Sequence, residues 1–281
     1  MSLSLREELR VVLYPERVLM LRIGRELTRR GMVRRVIETR TVPCAAAEGA
    51  DAAWSAAIAT LAAELPALAY NTAFATVILS NHFMRYALVP WSAALKNAAE
   101  EAVYTRHFFR QLYGTAAESW DLRLNPDRPG AAQLASALDG RLAQAVRTAF
   151  DDAGIRLRSI QPGLMAAYNS CRDRLQAGSA WFVLFEPGNL CVALLQQGAW
   201  RSIRTLRARG DCCANLPHIL ERESCLTEHE AGTDEVFLWA PEIEKPVLPQ
   251  GGRWKLHALQ PAIHPGLLPD YDRRFAMAMG G

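Results

Sequence analysis

The densest run of metal-capable side chains is Cys212-Cys213, His218, Cys225 and His229. A structural zinc site draws on closed ligand sets with C-x2-4-C spacing. No C-x2-C occurs here, so the run reads as thiols and surface histidines, and no metal is expected. The other cysteines are Cys44, Cys171 and Cys191. With no secretory leader ahead of them, all six are expected to be reduced and mostly buried. Organised catalytic motifs are absent: there is no G-x-x-x-x-G-K-[ST], G-x-G-x-x-G, G-x-S-x-G or H-E-x-x-H. The acidic pairs Glu100-Glu101 and Asp151-Asp152 fall on a helix face and at a helix end. Glu221 and Glu223 flank Arg222 as surface pairs. His82 and His107 stand near aromatics and read as packed or surface histidines. No catalytic residue is expected.

Of 281 residues, 50% are hydrophobic and 22% charged, which excludes a disordered chain. No stretch of about 18 apolar residues is free of charge, so no spanning helix is expected. Arg6, Glu7, Glu8 and Arg10 precede any apolar run, unlike a secretory leader, and the expectation is a cytoplasmic protein. A net charge of +3 is too mild to imply nucleic acid. The basic residues are nevertheless clustered. Arg22, Arg25, Arg29, Arg30, Arg34, Arg35 and Arg40 crowd one predicted hairpin, with Glu26 and Glu38 among them. Arg29, Arg30, Arg34 and Arg35 are the surface candidates. Such a cluster suits anionic headgroups or an acidic partner, or is a solvated hairpin in an arginine-rich chain. No aromatics are interleaved to stack bases.

Short apolar runs at 9–13 and 18–23 are joined by Tyr14-Pro15-Glu16-Arg17, a turn, and 32–42 makes a third strand. Asp51 is expected to cap a helix facing inward through Trp54, Ile58, Leu61 and Leu65, stopped near its end by Pro66. Strands at 74–79 and 84–89 come next. A helix over 91–113 is expected to face inward through Leu95, Ala99, Ala102, Phe109 and Leu112, with Gly114 ending it. Strands at 120–124 and 133–138 precede a helix capped by Asp139 and closed by Gly154. The last third has a strand at 155–160, a helix over 162–175 and strands at 181–185 and 190–195 around Glu186-Pro187-Gly188-Asn189. A strand at 200–206, a helix over 216–225, a strand at 236–239 and one at 254–259 complete it. The tail from Tyr271 has no packing pattern and is expected to be mobile.

The strand-turn-strand-strand order thus occurs twice, once from Leu9 and once from Trp181. That duplication resembles actin-like ATPases. The stretch Val77-Ile-Leu-Ser-Asn-His-Phe-Met-Arg-Tyr-Ala-Leu-Val-Pro90, leading into a long helix, resembles the strand-Pro-helix lead-in to the inserted subdomain of PilM-type pilus assembly proteins. Ala135-Ser-Ala-Leu-Asp139, a helix, Ala153-Gly154 and then 155–161 resemble the next stretch of that family. Phe185-Glu-Pro-Gly188 stands where the family has an aspartate-x-glycine turn. The chain therefore resembles the PilM, GspL or MshI type over residues 9–207. The fold class implied is α/β (mixed), an actin-like (ribonuclease H-like) duplicated fold with a small inserted α+β subdomain. One half spans 1–154, with the insert at about 82–138. The other spans 155–281 and is truncated, with an irregular C-terminal tail.

The resemblance implies a nucleotide held between two turns, and this sequence departs from it there. Tyr14-Pro15-Glu16-Arg17 contains no glycine to admit a phosphate, and Pro15 has no N–H. In the second turn Glu186 replaces the aspartate, Pro187 removes a donor, and Gly188 is followed by Asn189. Glu186 retains the ability to hold magnesium through water. The family's adenosine-loop glycine pair is not identifiable, as Gly251-Gly252 lies in a Pro-rich stretch. The expectation is a non-enzymatic scaffold without ATP or Mg, the alternative being an ATP-binding actin-like ATPase. The resemblance also implies a partner: a cytoplasmic segment of an inner-membrane assembly protein, held beside the insert. The candidate groove residues are His82, Met84, Arg85 and Tyr86. On a strand His82, Met84 and Tyr86 share one face, so either the strand is buried on both sides or one face receives a ligand.

Overall fold

The computed structural model describes residues 7–28, 31–45, 52–125, 127–176, 178–208, 212–227, 232–243, 252–260 and 272–280. In chain order the strands β1 (Glu7–Leu13), β2 (Arg17–Thr28) and β3 (Gly31–Pro43) precede helix α1 (Ser55–Leu68) and strands β4 (Thr72–Leu79) and β5 (Met84–Val89). Helix α2 (Ala98–Tyr113) runs into a 3-10 turn (Gly114–Ser119), then β6 (Trp120–Leu124), β7 (Gln133–Asp139), α3 (Gly140–Asp152) and β8 (Arg156–Pro162). Helices α4 (Gly163–Ser170) and α5 (Arg172–Leu175) lead to β9 (Ala180–Glu186), β10 (Asn189–Gln196) and β11 (Ala199–Arg207). Helix α6 (Cys212–Leu226), β12 (Glu235–Trp239), β13 (Lys255–Ala258), a 3-10 turn (Arg273–Phe275) and α7 (Ala276–Met279) complete the order.

Two five-stranded sheets share one plan. The first has the order β3-β2-β1-β4-β8 and the second β11-β10-β9-β12-β13. In the first, β1 and β2 pair antiparallel, as do β2 and β3, whereas β4 is parallel to β1 and β8 parallel to β4. In the second, β9 with β10 and β10 with β11 are antiparallel, and β12 is parallel to β9 and β13 to β12. The repeat first legible as two strand-turn-strand runs therefore extends to all five strands. The central strands carry unbroken apolar runs because both of their faces are covered: Val11, Val12 and Leu13 in β1 and Trp181, Phe182 and Val183 in β9 have no exposed surface.

The chain divides into two compact units, one of Met1–Met84, Leu138–Ser170 and Pro261–Gly281, the other of Arg85–Ala137 and Cys171–Gln260. The second unit includes the small inserted α+β subdomain. Its three strands are ordered β5-β7-β6 and packed on α2. Ala87, Val89, Phe109, Ala117, Ala135 and Ala137 form its core. The rings of Phe109, Tyr113 and Trp120 meet at 5.2–6.5 Å between centroids. The second sheet buries a separate core around Trp181, whose ring meets Trp254 edge-on at 6.4 Å.

Several local expectations are corrected. Helix α2 starts at Ala98, not near Trp91, because Asn97 caps it by accepting from the N–H groups of Ala99 and Glu100. Its inward face is Thr105 and Phe109. Ala99, Ala102 and Leu112 are exposed, since a three-stranded sheet covers only a narrow stripe of the helix. Pro66 lies inside the last turn of α1, which runs on to Leu68. Asp51 is outside the described residues, and Trp54 takes the capping position without a side-chain cap. The predicted helix over 162–175 is broken at Cys171 into α4 and α5. The tail is packed: Phe275, Ala276, Met277, Ala278 and Met279 are all buried. A short helix covered on every side carries no amphipathic period, which is why its sequence shows no pattern.

Candidate functional site

The turns singled out in the sequence occupy equivalent places in the two sheets, each joining the central strand to its antiparallel neighbour. In the first, Leu13 pairs with Val18. The Tyr14 N–H donates to the Arg17 carbonyl at 3.0 Å, and Pro15 contributes no donor. The Tyr14 ring is 2% exposed, and the Arg17 guanidinium stacks over it at 4.7 Å. The Glu16 carbonyl accepts from the Cys44 N–H at 2.8 Å. Burial pushes the Cys44 thiol up, opposed by a hydrogen bond with Thr60 and helped by the charge of Glu16.

The second turn is tighter. Glu186 pairs with Asn189 across a two-residue loop, Pro187-Gly188. Gly188 has φ 79°, the left-handed value that the second central position of a type II turn requires. The Gly188 carbonyl accepts from the Ala208 N–H at 3.1 Å. Both ends of the turn are polar and buried, Glu186 at 3% and Asn189 at 6% exposure. The neighbouring Cys191 thiol is pushed up to about 12, chiefly by burial, with the Glu186 charge adding to it and a hydrogen bond with Thr205 opposing it.

A polar cluster lies just beyond β4. The Ser80 N–H donates to the Leu13 carbonyl at 3.0 Å. The Ser80 hydroxyl lies 2.8 Å from His82 Nδ1 and accepts from the His82 N–H at 3.3 Å. The Asn81 side-chain oxygen accepts from the Leu164 N–H at 3.2 Å, at the start of α4. Ser80 and Asn81 are buried. Sequence reasoning named His82 and missed the ties of its neighbours Ser80 and Asn81 to β1 and α4. The groove candidates separate by exposure: Met84 and Tyr86 are buried, His82 is half-buried and Arg85 is exposed. The Tyr86 carbonyl accepts from the Tyr113 hydroxyl at 3.2 Å. Burial pushes the Tyr113 hydroxyl up, against the opposing charge of Arg85.

Three arginines of the β2–β3 ribbon, Arg22, Arg34 and Arg40, are engaged by carboxylates from outside it. Arg34 pairs with Glu8 at 2.7 Å and Arg22 with Glu7 at 2.9 Å, both acids on β1. Arg22 also reaches Glu38 at 3.4 Å. Arg40 pairs with Glu38 and, at 3.2 Å, with Glu64 of α1. Neutralisation by Glu7, Glu8 and Glu64 was not legible along the ribbon itself. Arg29 and Arg30 lie outside the described residues. So do His229 and the side chains of Cys212 and Cys213, while His218 and Cys225 are exposed on α6.

No family model and no curated protein matches the chain. Solved structures do. The cytoplasmic domain of EpsL, an inner-membrane component of the type II secretion system of Vibrio cholerae, aligns with a TM-score of 0.59 at 11% identity, over 97% of this chain and 93% of that one. The PilM–PilN type IV pilus biogenesis complex aligns with a TM-score of 0.57 at 13% identity, over 83% of this chain and 80% of that one. A Bacteroides thetaiotaomicron protein of unknown function with an actin-like ATPase fold aligns at 0.53 with 10% identity, over 84% and 82%. The fold is actin-like. The expected resemblance to pilus and secretion assembly proteins holds at the level of structure. In actin-like terms the two turns are corresponding loops of a duplicated sheet, and β5–β7 with α2 is the insert. Among the described residues no helix is long and apolar enough to cross a membrane.

Proposed function

We propose that the chain is a non-enzymatic scaffold of a type IV pilus or type II secretion-like assembly. It works at the cytoplasmic face of the inner membrane and holds a segment of an inner-membrane partner. The likeness to the EpsL cytoplasmic domain over nearly the whole of both chains is the observation that supports this reading most. The PilM–PilN likeness supports it independently.

The geometry of the turns supports leaving ATP and Mg out of it. A phosphate cradle needs several backbone N–H groups pointing into open space. In the first turn the Tyr14 N–H is spent on Arg17, Pro15 has none, and the Arg17 guanidinium stacks on the buried Tyr14 ring. In the second turn Pro187 removes a donor. The residues present do not fit a triphosphate. The alternative, an ATP-binding member of the superfamily, draws on Glu186, an acid kept where the family has its aspartate.

The reading is tested by tagging the protein in its own cell, solubilising membranes with mild detergent and identifying what co-purifies by mass spectrometry. Recovery of an inner-membrane protein of a pilus or secretion machine is expected, with its cytoplasmic segment sufficient for binding. Recovery of no such protein, together with ATP turnover by the purified chain, would replace the scaffold by the ATPase.

A further inference from the structure

The inserted subdomain carries a groove of about 710 Å³ between α2 and the strand β6, lined by residues of these elements and of the turn joining them. Strand β6 ends the order β5-β7-β6, so one of its edges has no strand partner among the described residues. The Asn125 N–H donates to Leu134 of β7, so by the alternation of the strand backbone Leu122 and Leu124 turn their N–H and C=O groups to the open edge. One end of that edge is closed, because both terminal nitrogens of Arg106 donate to the Trp120 carbonyl at 3.3 Å. Beside the edge the groove is apolar: Leu122 and Leu124 are only half-buried, and Ala98, Ala102 and Val103 of α2 face it, Val103 at 72% exposure.

Charge makes the groove selective. Arg106 is committed to backbone carbonyls and Arg110 to Glu118 at 3.2 Å. Glu101 of α2 lines the groove on the helix side, and Arg123 is exposed at its rim on β6; neither side chain makes a hydrogen bond or ion pair among the described residues. Successive side chains of a strand point to opposite faces, so Leu122 and Leu124 face α2 while Arg123 projects from the other side. A strand laid on this edge would place alternate residues against α2 and the intervening ones beside Arg123.

We infer that the α2–β6 groove binds an extended peptide segment as a fourth strand, its apolar residues alternating with acidic ones that pair with Arg123. Backbone hydrogen bonds to Leu122 and Leu124 give affinity, and the apolar and acidic positions give register and specificity. This deepens the assembly reading by naming the partner's chemistry, and rests on that reading for where the segment comes from. The test uses no assembly protein, so either can fail alone.

The probe is a dye-labelled short peptide alternating leucine with glutamate, followed by fluorescence anisotropy. It is expected to bind, and a peptide alternating leucine with lysine to bind about tenfold more weakly, as opposed charges beside Arg123 dictate. N-methylation of the backbone nitrogens that face β6 is expected to abolish binding. Arg123→Glu, an exposed position whose thermal melt is expected to match wild type, should reverse the preference toward the lysine peptide. Absence of binding at millimolar peptide overturns the inference. So does equal binding of the two peptides, insensitivity to N-methylation, or an unchanged preference in Arg123→Glu.

Discussion

The guanidinium of Arg10 donates to the carbonyl oxygen of Gly280 at 2.9 Å, joining residues 270 positions apart. The same nitrogen donates to the Ala278 carbonyl at 2.8 Å, and Arg10 Nε is held by Glu8 at 2.6 Å. The last described residues of the chain thus close the unit that its first strand begins. Gly280 is small for a reason: a Cβ there would stand 3.0 Å from the Cβ of Ser170. Its own N–H bonds the Ala276 carbonyl.

Loss of this closure is predicted to be costly. Arg10→Met keeps the aliphatic stem but leaves two part-buried carbonyls without their charged donor, which should destabilise by about 1–3 kcal/mol. Phe275→Ala empties a site only 2% exposed, and should cost about 3–5 kcal/mol. Urea midpoints of both variants check this. A mobile tail would leave both midpoints at the wild-type value.

The features legible in the sequence are those that one strand or turn can announce. The apolar runs at Val11 and Val183 and the Pro-Gly turn at 187–188 carry their own signals, and the duplicated order came from them. The cap of α2 had a signal too, since Asn97 with Glu100 three residues on is a capping pair. Trp91 and Leu95, which lie before it, also read as helix and mask it. Features made by distant partners were not legible. Glu8 meets Arg34 because the sheet order places β1 beside the ribbon. Leu164 meets Asn81 because β8 delivers α4 to the end of β4. The buried tail hid its packing by being apolar on all sides.

The cysteines should react according to burial. Cys191 is fully covered and its thiol is held up to about 12, above the ordinary value of 9.0. The thiolate is the nucleophile, so near pH 8 the folded protein presents almost none at this position. Between those two values the folded state retains a proton that the unfolded state has lost, so this group's contribution to stability falls as pH rises through that window. Brief alkylation at pH 8 and then peptide mapping should label exposed Cys225 and leave Cys191 unlabelled until denaturant is added. Early labelling of Cys191 would mean that β10 opens readily.

Arg85 and Tyr86 should part company under mutation. Tyr86 is 7% exposed, with its backbone tied to Tyr113, so Tyr86→Ala should destabilise by about 2–4 kcal/mol and lose partner binding only by unfolding the insert. Arg85 is exposed, and Arg85→Ala should change stability by less than about 0.5 kcal/mol. If the partner segment lies beside this strand, Arg85→Ala weakens co-purification at an unchanged melting temperature. Binding equal to wild type would move the contact away from Arg85.

Nucleotide should leave the protein's stability unchanged. A ligand that binds only the folded state stabilises it by RT ln(1 + [L]/Kd), about 2.7 kcal/mol when present at a hundred times Kd. An actin-like protein with an open phosphate cradle would show that at millimolar Mg-ATP. Here the Tyr14 N–H is taken by the Arg17 carbonyl, and Pro15 and Pro187 withhold donors. A melting temperature unmoved by Mg-ATP is therefore expected. The double variant Tyr14→Gly and Pro15→Ser, which reopens the first turn and restores a donor, is the informative companion. It should lose stability through the removed ring, and a shift with Mg-ATP that it alone shows would identify Tyr14 and Pro15 as the cause. A rise of several degrees in the wild-type protein would instead assign Glu186 to a magnesium-bound nucleotide, and the scaffold reading would give way to the ATPase.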